Sequence, residues 1–137
     1  MQIYTEHLTF HSKQKREIIN ITEQVKAALQ KSGFHDGFVI VSSLHSNSAI
    51  FVNDAEPELI EDITTWLDRL CPPSEDYKHQ GRFESSSETH FQAMLLNHTE
   101  IVGFTEGKLE LGPWQFIQYA ELDGLRPKRV LIKIIGE

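Results

Sequence analysis

The 137-residue sequence is poor in cysteine, proline and glycine, with one, five and eight of them, and it has no excess of basic residues. Each shortage closes a class. The lone Cys71 forms no internal disulfide and builds no thiolate zinc site by itself, so a reduced, cytoplasmic compartment is the default expectation. Thirteen Lys and Arg against 20 Asp and Glu leave a net charge of −7. That balance argues against the broad cationic face on which nucleic-acid and anionic-lipid binders depend, while leaving room for a local cationic pocket. No apolar run approaches the roughly 18 residues of a membrane span. Met1-Gln2-Ile3-Tyr4-Thr5-Glu6-His7 lacks the basic start and apolar middle of a signal peptide. With 39% apolar and 24% charged residues, the chain is neither disordered nor low-complexity. Histidine, by contrast, is abundant, with seven residues.

The length is that of one domain, and residues 1–137 read as a single unit without internal repeats. Alternation over Gln2 to Phe10 predicts a strand, and Glu17 to Ile21 a second. Thr22 stands where a helix cap belongs, Val25, Ala28 and Leu29 share a helical face, and Ser32-Gly33 ends that helix. The β-branched run Gly37 to Val41 predicts a central strand buried on both faces, followed by another over Ser48 to Val52. Asp54 is placed to cap a second helix, on which Leu59, Ile60, Ile63, Trp66, Leu67 and Leu70 recur at three- and four-residue steps until Pro72-Pro73. Pro72 to Glu88 has no periodicity, and a structureless run of that length is usually functional or mobile. Phe91, Met94 and Leu95 suggest a short third helix. Strands are expected at Glu100 to Thr105, Leu109 to Leu111, Trp114 to Leu122 and Lys128 to Ile135, with turns at Glu106-Gly107-Lys108 and Asp123-Gly124. Strands arriving in runs with few crossovers indicate an α+β domain.

No phosphate-binding Walker loop, dinucleotide fingerprint or nucleophile elbow is present. Cys71, at the end of an amphipathic helix, reads as a small apolar residue. Among the histidines, His7, His11 and His35 fall in polar surroundings, and His98 suits the negative end of the short helix. His45 differs, because it ends the apolar strand and opens the polar segment His45-Ser46-Asn47-Ser48. His79 lies in the long loop and His90 at the start of the third helix. Three neutral imidazoles can hold a divalent metal with one position open, although His79 and His90 lack the i, i+4 spacing of a helical ligand pair; partly exposed loop histidines are the plainer reading of spacing alone. Ser85-Ser86-Ser87-Glu88-Thr89 precedes the third helix, where hydroxyls and free amides can cradle an anion or simply cap the helix. Near the end, Gln115, Glu121, Asp123 and Arg126 gather polar groups around two strands. A carboxylate there can serve as a general base or fix a histidine tautomer, and Arg126 can pair with phosphate; an ordinary turn and surface ion pair explain the same residues.

These segments together resemble the YjbQ-like family, described as secondary thiamine-phosphate synthases, over nearly the whole chain and most densely from His45 onward. The resemblance is carried by His45-Ser46-Asn47-Ser48-Ala49 with Asn53-Asp54-Ala55-Glu56-Pro57, by Tyr77-Lys78-His79, and by the helix-start His90. It continues in Gly107-Lys108-Leu109-Glu110-Leu111-Gly112-Pro113-Trp114-Gln115 and in Glu121-Leu122-Asp123-Gly124-Leu125-Arg126. The chain departs from the family pattern at Ser46 (commonly Thr), Asn47 (commonly Ser), Asn97 (commonly Gly) and Leu125 (commonly Pro).

The resemblance implies an α+β fold of two packed, mostly antiparallel β-sheets with two to three helices, assembled as a homotrimer. It implies an enzyme joining a pyrimidine methyl diphosphate to a thiazole phosphate, with pyrophosphate released, in a cleft carrying three histidines. His45, His79 and His90 would be the catalytic and metal- or phosphate-ligating residues, with Glu121 in support, and Gln115, Arg126 and Asn53 would bind substrate. A divalent metal, Zn or Mg, is expected and no organic cofactor. Partners would be a phosphorylated small molecule and further copies of the chain, not nucleic acid or a membrane. The competing readings are a metal- or phosphate-ligand-binding trimer without turnover, and a purely structural trimer.

Overall fold

The computed structural model describes residues 1–73, 76–79, 86–124 and 126–137. Ser85 of the anticipated anion cradle, Leu125, and part of the aperiodic run after Pro72 lie outside the described residues. The described residues form eight strands and three helices, and the sequence order follows the expected one. Strand β1 (Gln2–Phe10), β2 (Glu17–Asn20) and helix α1 (Thr22–Ser32) come first, followed by β3 (Gly37–Ser43), β4 (Ser48–Asn53) and α2 (Pro57–Leu70). Helix α3 (Ser87–Leu96) precedes β5 (Thr99–Thr105), β6 (Lys108–Leu109), β7 (Phe116–Glu121) and β8 (Lys128–Gly136).

The strands divide into two antiparallel sheets, one of five strands in the order β1-β8-β3-β5-β6 and one of three in the order β2-β7-β4. One core lies between them. Val39 and Val41 of β3, Val102 and Phe104 of β5, and Val130, Ile132 and Ile134 of β8 face Ile50, Ile117 and Tyr119 of the smaller sheet and Val25, Ala28 and Leu29 of α1. The far face of the smaller sheet, Ala49, Phe51, Ala120 and Leu122, packs against Ala93 and Leu96 of α3 and Ile63 of α2.

The smaller sheet is therefore the one covered on both sides, and Ser48 to Phe51 and Ile117 to Glu121 are buried without alternation. The sequence predicts double burial for the run at Gly37 to Val41. That strand is central, but it alternates, and Phe38 is 39% exposed on the outer face of the larger sheet. An apolar β-branched run can thus mark a strand with one solvent-facing apolar side. Ile3, Phe38 and Ile135 form one row across that outer face, with Ile40 and Ile101 in a second.

Helix ends also moved for identifiable reasons. Helix α2 starts at Pro57, whose fixed φ suits the first helical position, after Glu56 and not at Asp54. Helix α3 starts at Ser87, which puts His90 one turn inside it. Thr22 is the first residue of α1 and not its cap; its hydroxyl donates to Asn20 Oδ1 and accepts from the Ile117 amide at 2.9 Å, pinning α1 to β7. Trp114 and Gln115 lie in the turn before β7, where the Gln115 amide donates to the Gly112 carbonyl.

Gly37 has φ +154°, and a Cβ there would stand 2.0 Å from the Ile135 carbonyl oxygen, whereas Gly33, at φ +71° closing α1, has nothing within 4 Å. Gly37→Ala is expected to cost about 1–3 kcal/mol through forced backbone shifts in the central strand pair. Gly33→Ala should cost about 1–2 kcal/mol, the left-handed backbone penalty alone. Urea denaturation of both variants checks the order.

Candidate functional site

The turn from β3 to β4 carries His45, and its shape is set at its base. Ser43 and Ser48, the residues on either side, share a hydroxyl–hydroxyl hydrogen bond of 2.5 Å, and the Ser43 hydroxyl also bonds the His45 backbone. His45 turns its ring toward β8, where Nε2 accepts the Arg129 backbone amide at 3.0 Å. An amide N–H only donates, so Nε2 holds a lone pair and the neutral ring carries its proton on Nδ1. Burial first, then the neighbouring Lys128 charge with Arg126 and Arg129, holds the His45 pKa below its ordinary 6.5, against the opposing pull of Glu121.

Behind His45 lies a buried charged network. Lys128, 1% exposed, and Glu121, fully buried, form an ion pair of 2.5 Å. The ammonium donates further to Asn47 Oδ1 at 2.9 Å and to the Asp123 carbonyl at 2.8 Å. Asn47 donates in turn to Asp123 Oδ2 at 3.1 Å. The remaining Glu121 oxygen accepts the Tyr119 hydroxyl at 2.9 Å, and burial followed by that carboxylate pushes the phenol far above its usual range. Two unpaired charges would not survive there; this pair is tolerated because both carboxylate oxygens and all three ammonium protons have partners.

His90 is fixed from the same turn. Its Nδ1 lies 3.3 Å from the Ser46 carbonyl, an acceptor, which makes Nδ1 the protonated nitrogen in that bond. His79 packs edge-on against His90 with ring centroids 5.2 Å apart, and its carbonyl accepts the Ser87 hydroxyl at 2.6 Å. Helix α3 is itself anchored by Gln92, which bonds Arg16, Asp68 and the Cys71 carbonyl, while Arg16 pairs with Asp68 of α2 at 2.7 Å.

Two hollows meet at His45 and Ser46. One, of about 670 Å³, runs along α3 past His90, Ala93, Met94 and His98. The other, of about 310 Å³, is bounded by Asn47, Arg126, Pro127 and Lys128. The first is of the size that small-molecule sites occupy, roughly 300–1,000 Å³, and joins apolar walls to a few polar groups.

The structure thus brings His45 and His90 to one turn, with His79 packed on the His90 ring, Arg126 on the other side of the turn and Glu121 behind it. Gln115 and Asn53 are elsewhere. In the pairing of β4 with β7, Ser48 faces Glu121 at the histidine end and Asn53 faces Phe116 at the opposite end. Five strand steps separate the two ends, about 16 Å at ~3.3 Å per residue. In the anticipated anion cradle, the Ser87 and Thr89 hydroxyls are spent on backbone carbonyls, and Ser86 Oγ is buried without a partner among the described residues. A metal fits this arrangement only in part. Among the described residues no three His, Cys, Asp or Glu side chains are grouped to hold an ion, and His45 has committed Nε2 to Arg129.

The residues that the sequence reading left out are Lys128, Asn47 as a network member, and the Arg129 amide. A signal was present for Lys128. Period-two alternation puts it on the same side of β8 as Val130, Ile132 and Ile134, so an inward charge required a buried partner. His98, read from sequence as a helix-end residue, lines the larger hollow.

These features define a class: an α+β protein of two antiparallel sheets, with a histidine-walled cleft where the sheets are joined by a buried ion pair. The chain belongs to the YjbQ-like family, since the model described as "UPF0047 protein YjbQ-like" matches residues 6–137. A UPF0047 protein of Methanothermobacter thermautotrophicus is 36% identical over 137 residues, covering 100% of this chain and 95% of that one. Another from Archaeoglobus fulgidus is 38% identical over 128 residues, covering 93% and 98%. The crystal structure of a YbjQ-like protein of unknown function from Sulfolobus solfataricus superposes with a TM-score of 0.94 at 32% identity, covering 99% of each chain.

Because the folded protein disfavours the His45 imidazolium, its contribution to stability is full above the unfolded value near 6.5 and is lost as pH falls below it toward the lowered folded value. The melting temperature of the metal-free wild type should therefore drop more steeply below pH 6.5 than that of His45→Gln. Parallel curves for the two proteins would contradict the assignment.

Proposed function

We propose that this chain is a small-molecule enzyme that joins a pyrimidine methyl diphosphate to a thiazole phosphate at the histidine cleft and releases pyrophosphate. The observation that carries this reading is that His45 and His90, from distant parts of the chain, meet at one turn beside a hollow of about 670 Å³, with His79 packed against His90. Residues that merely cap loops have no reason to collect there.

The chemistry asks for stabilisation of the leaving pyrophosphate and for two rings held in line. In this reading His79 and His90 face the leaving group, and His45 donates from Nδ1–H. Arg126, half-exposed and 3.7 Å from Asp123, offers its guanidinium to a phosphate at the smaller hollow. Glu121 works from behind by keeping Lys128 in place. A divalent metal, Zn more readily than Mg given imidazole ligands, would take His79 and His90 and supply positive charge against the pyrophosphate. No organic cofactor enters the reading.

Self-association into a trimer is part of the proposal. The outer apolar rows Ile3, Phe38 and Ile135, and Ile40 and Ile101, of which Ile3, Phe38 and Ile101 are exposed, offer a face on which copies can pack. Gln115 and Asn53, a strand length from His45, reach substrate in this reading only across a subunit contact. A small net-acidic protein of this kind acts in the cytoplasm on a soluble phosphorylated substrate.

Purified protein given both substrates should form thiamine phosphate and pyrophosphate. His79→Ala and His90→Ala should each lower the rate by roughly 10²–10⁴-fold, the usual worth of a positioned acid–base or charge-stabilising group, with melting temperature unchanged. Phosphate binding by calorimetry without turnover in the wild type would replace the enzyme with a ligand-binding protein.

A further inference from the structure

Lys128 borders the smaller hollow, and a lysine beside a candidate phosphate site invites the role of an anion ligand. The geometry gives it a different one. An ammonium has three N–H donors, and here all three are used: on Glu121 Oε2 at 2.5 Å, the Asp123 carbonyl at 2.8 Å and Asn47 Oδ1 at 2.9 Å. At 1% exposure it has no donor left for a ligand. Its acceptors come from the end of β7, from the turn that follows, and from the β3–β4 turn two residues beyond His45.

The ammonium thus ties the first residue of β8 to the turn that carries His45. The next residue of β8, Arg129, presents its amide to His45 Nε2 at 3.0 Å. Which imidazole nitrogen carries the proton is set by the bond that the other makes. His45 Nδ1 has no partner among the described residues and is not buried away from solvent.

We infer that Lys128 is the positioning residue of the cleft: it holds the Arg129 amide against His45 Nε2 and so fixes His45 as an Nδ1–H hydrogen-bond donor, outside the ligand shell of any metal bound by His79 and His90. The inference deepens the proposed function and rests on it for the use made of that donor, but not for the tautomer. Asn47 belongs to the same device. It receives one of the three ammonium bonds and is itself held by Asp123, so the residue where the family commonly has Ser adds a clamp between turn and strand.

The test is long-range ¹H–¹⁵N correlation on ¹⁵N-histidine-labelled protein at pH 8, with His45 assigned by loss of its signals in His45→Gln. The expected wild-type pattern is a single tautomer, with an unprotonated Nε2 and a protonated Nδ1. A protonated Nε2 overturns the inference before any other variant is made. In Lys128→Met, shown to be folded by circular dichroism, the single pattern should give way to a mixture of both tautomers; its survival overturns the role of Lys128. If Lys128→Met does not fold, Asn47→Ser carries the test, because it removes one of the three anchors and should shift the same signals in the same direction. One equivalent of ZnCl₂ added to the wild type should leave the His45 pattern unchanged, and a zinc-shifted His45 nitrogen would refute its exclusion from the shell. Absence of thiamine-phosphate formation, with the His45 pattern as expected, would remove the proposed reaction and leave the positioning role intact.

Discussion

The ion pair between Lys128 and Glu121 is the constraint around which the histidine end of this molecule is arranged. It joins the two sheets, since Lys128 opens β8 of the larger and Glu121 closes β7 of the smaller. Taking both charges out of water costs several kcal/mol per ion, and an apolar pair of similar volume would often be as stable. The pair therefore makes a poor glue and a good locator. It fixes where the strands end relative to each other, because a buried charge has few acceptable positions. Tyr119, Asn47 and the backbone of Asp123 close further valences of the pair, so displacing any one of them leaves one buried donor or acceptor without its partner while the pair itself stays matched.

The layer order follows from the same junction. The smaller sheet is covered by the larger sheet and α1 on one side and by α2 and α3 on the other. Helix α3 can bring His90 to the β3–β4 turn only because it lies on the far face of β4. Its seat is specified by polar contacts more than by apolar area. Arg16, Asp68 and the 1%-exposed Gln92 link the β1–β2 turn, α2 and α3 in one hydrogen-bonded unit. Beyond its small inner stripe, α3 leaves Phe91, Met94 and Leu95 to the outside, with Met94 continuing into the wall of the hollow.

Much of this was legible in the residues. Period-two and helical patterns place the elements in their order, because each periodicity reports a face that needs covering. The same patterns fail where burial does not discriminate. The run at Gly37 to Val41 looks doubly buried, yet its outer face is half open, while Ser48 to Phe51, which includes a serine, is the segment covered on both sides. Apolar composition reports a face that avoids water, and it does not say whether the cover is this chain's own core. The histidine group was legible as motifs, whereas its hydrogen bonds were not. A bond from the Arg129 amide to an imidazole 84 residues earlier leaves no trace in local sequence. Gln115 and Asn53 show the converse: motif membership grouped them with the histidines, and the β4–β7 register puts them at the other end of the sheet.

One turn ends up deciding the chemistry of the cleft. His45 is held through Nε2 by β8, and His90 through Nδ1 by the Ser46 carbonyl, so the two rings are pinned by opposite nitrogens from opposite sides of the same few residues. Neither ring can re-orient without moving that turn, and the turn is closed at its base by the Ser43 and Ser48 hydroxyls and at its side by Asn47. Histidines that come from a strand end and a helix thereby both carry their proton on Nδ1, one held through its acceptor nitrogen and the other through its donor. A ligand entering the hollow meets groups whose hydrogen-bonding sense has already been chosen by the backbone, a preorganisation that costs nothing further when it binds. The buried charges serve the site at one remove: they define the backbone, and the backbone defines the imidazoles.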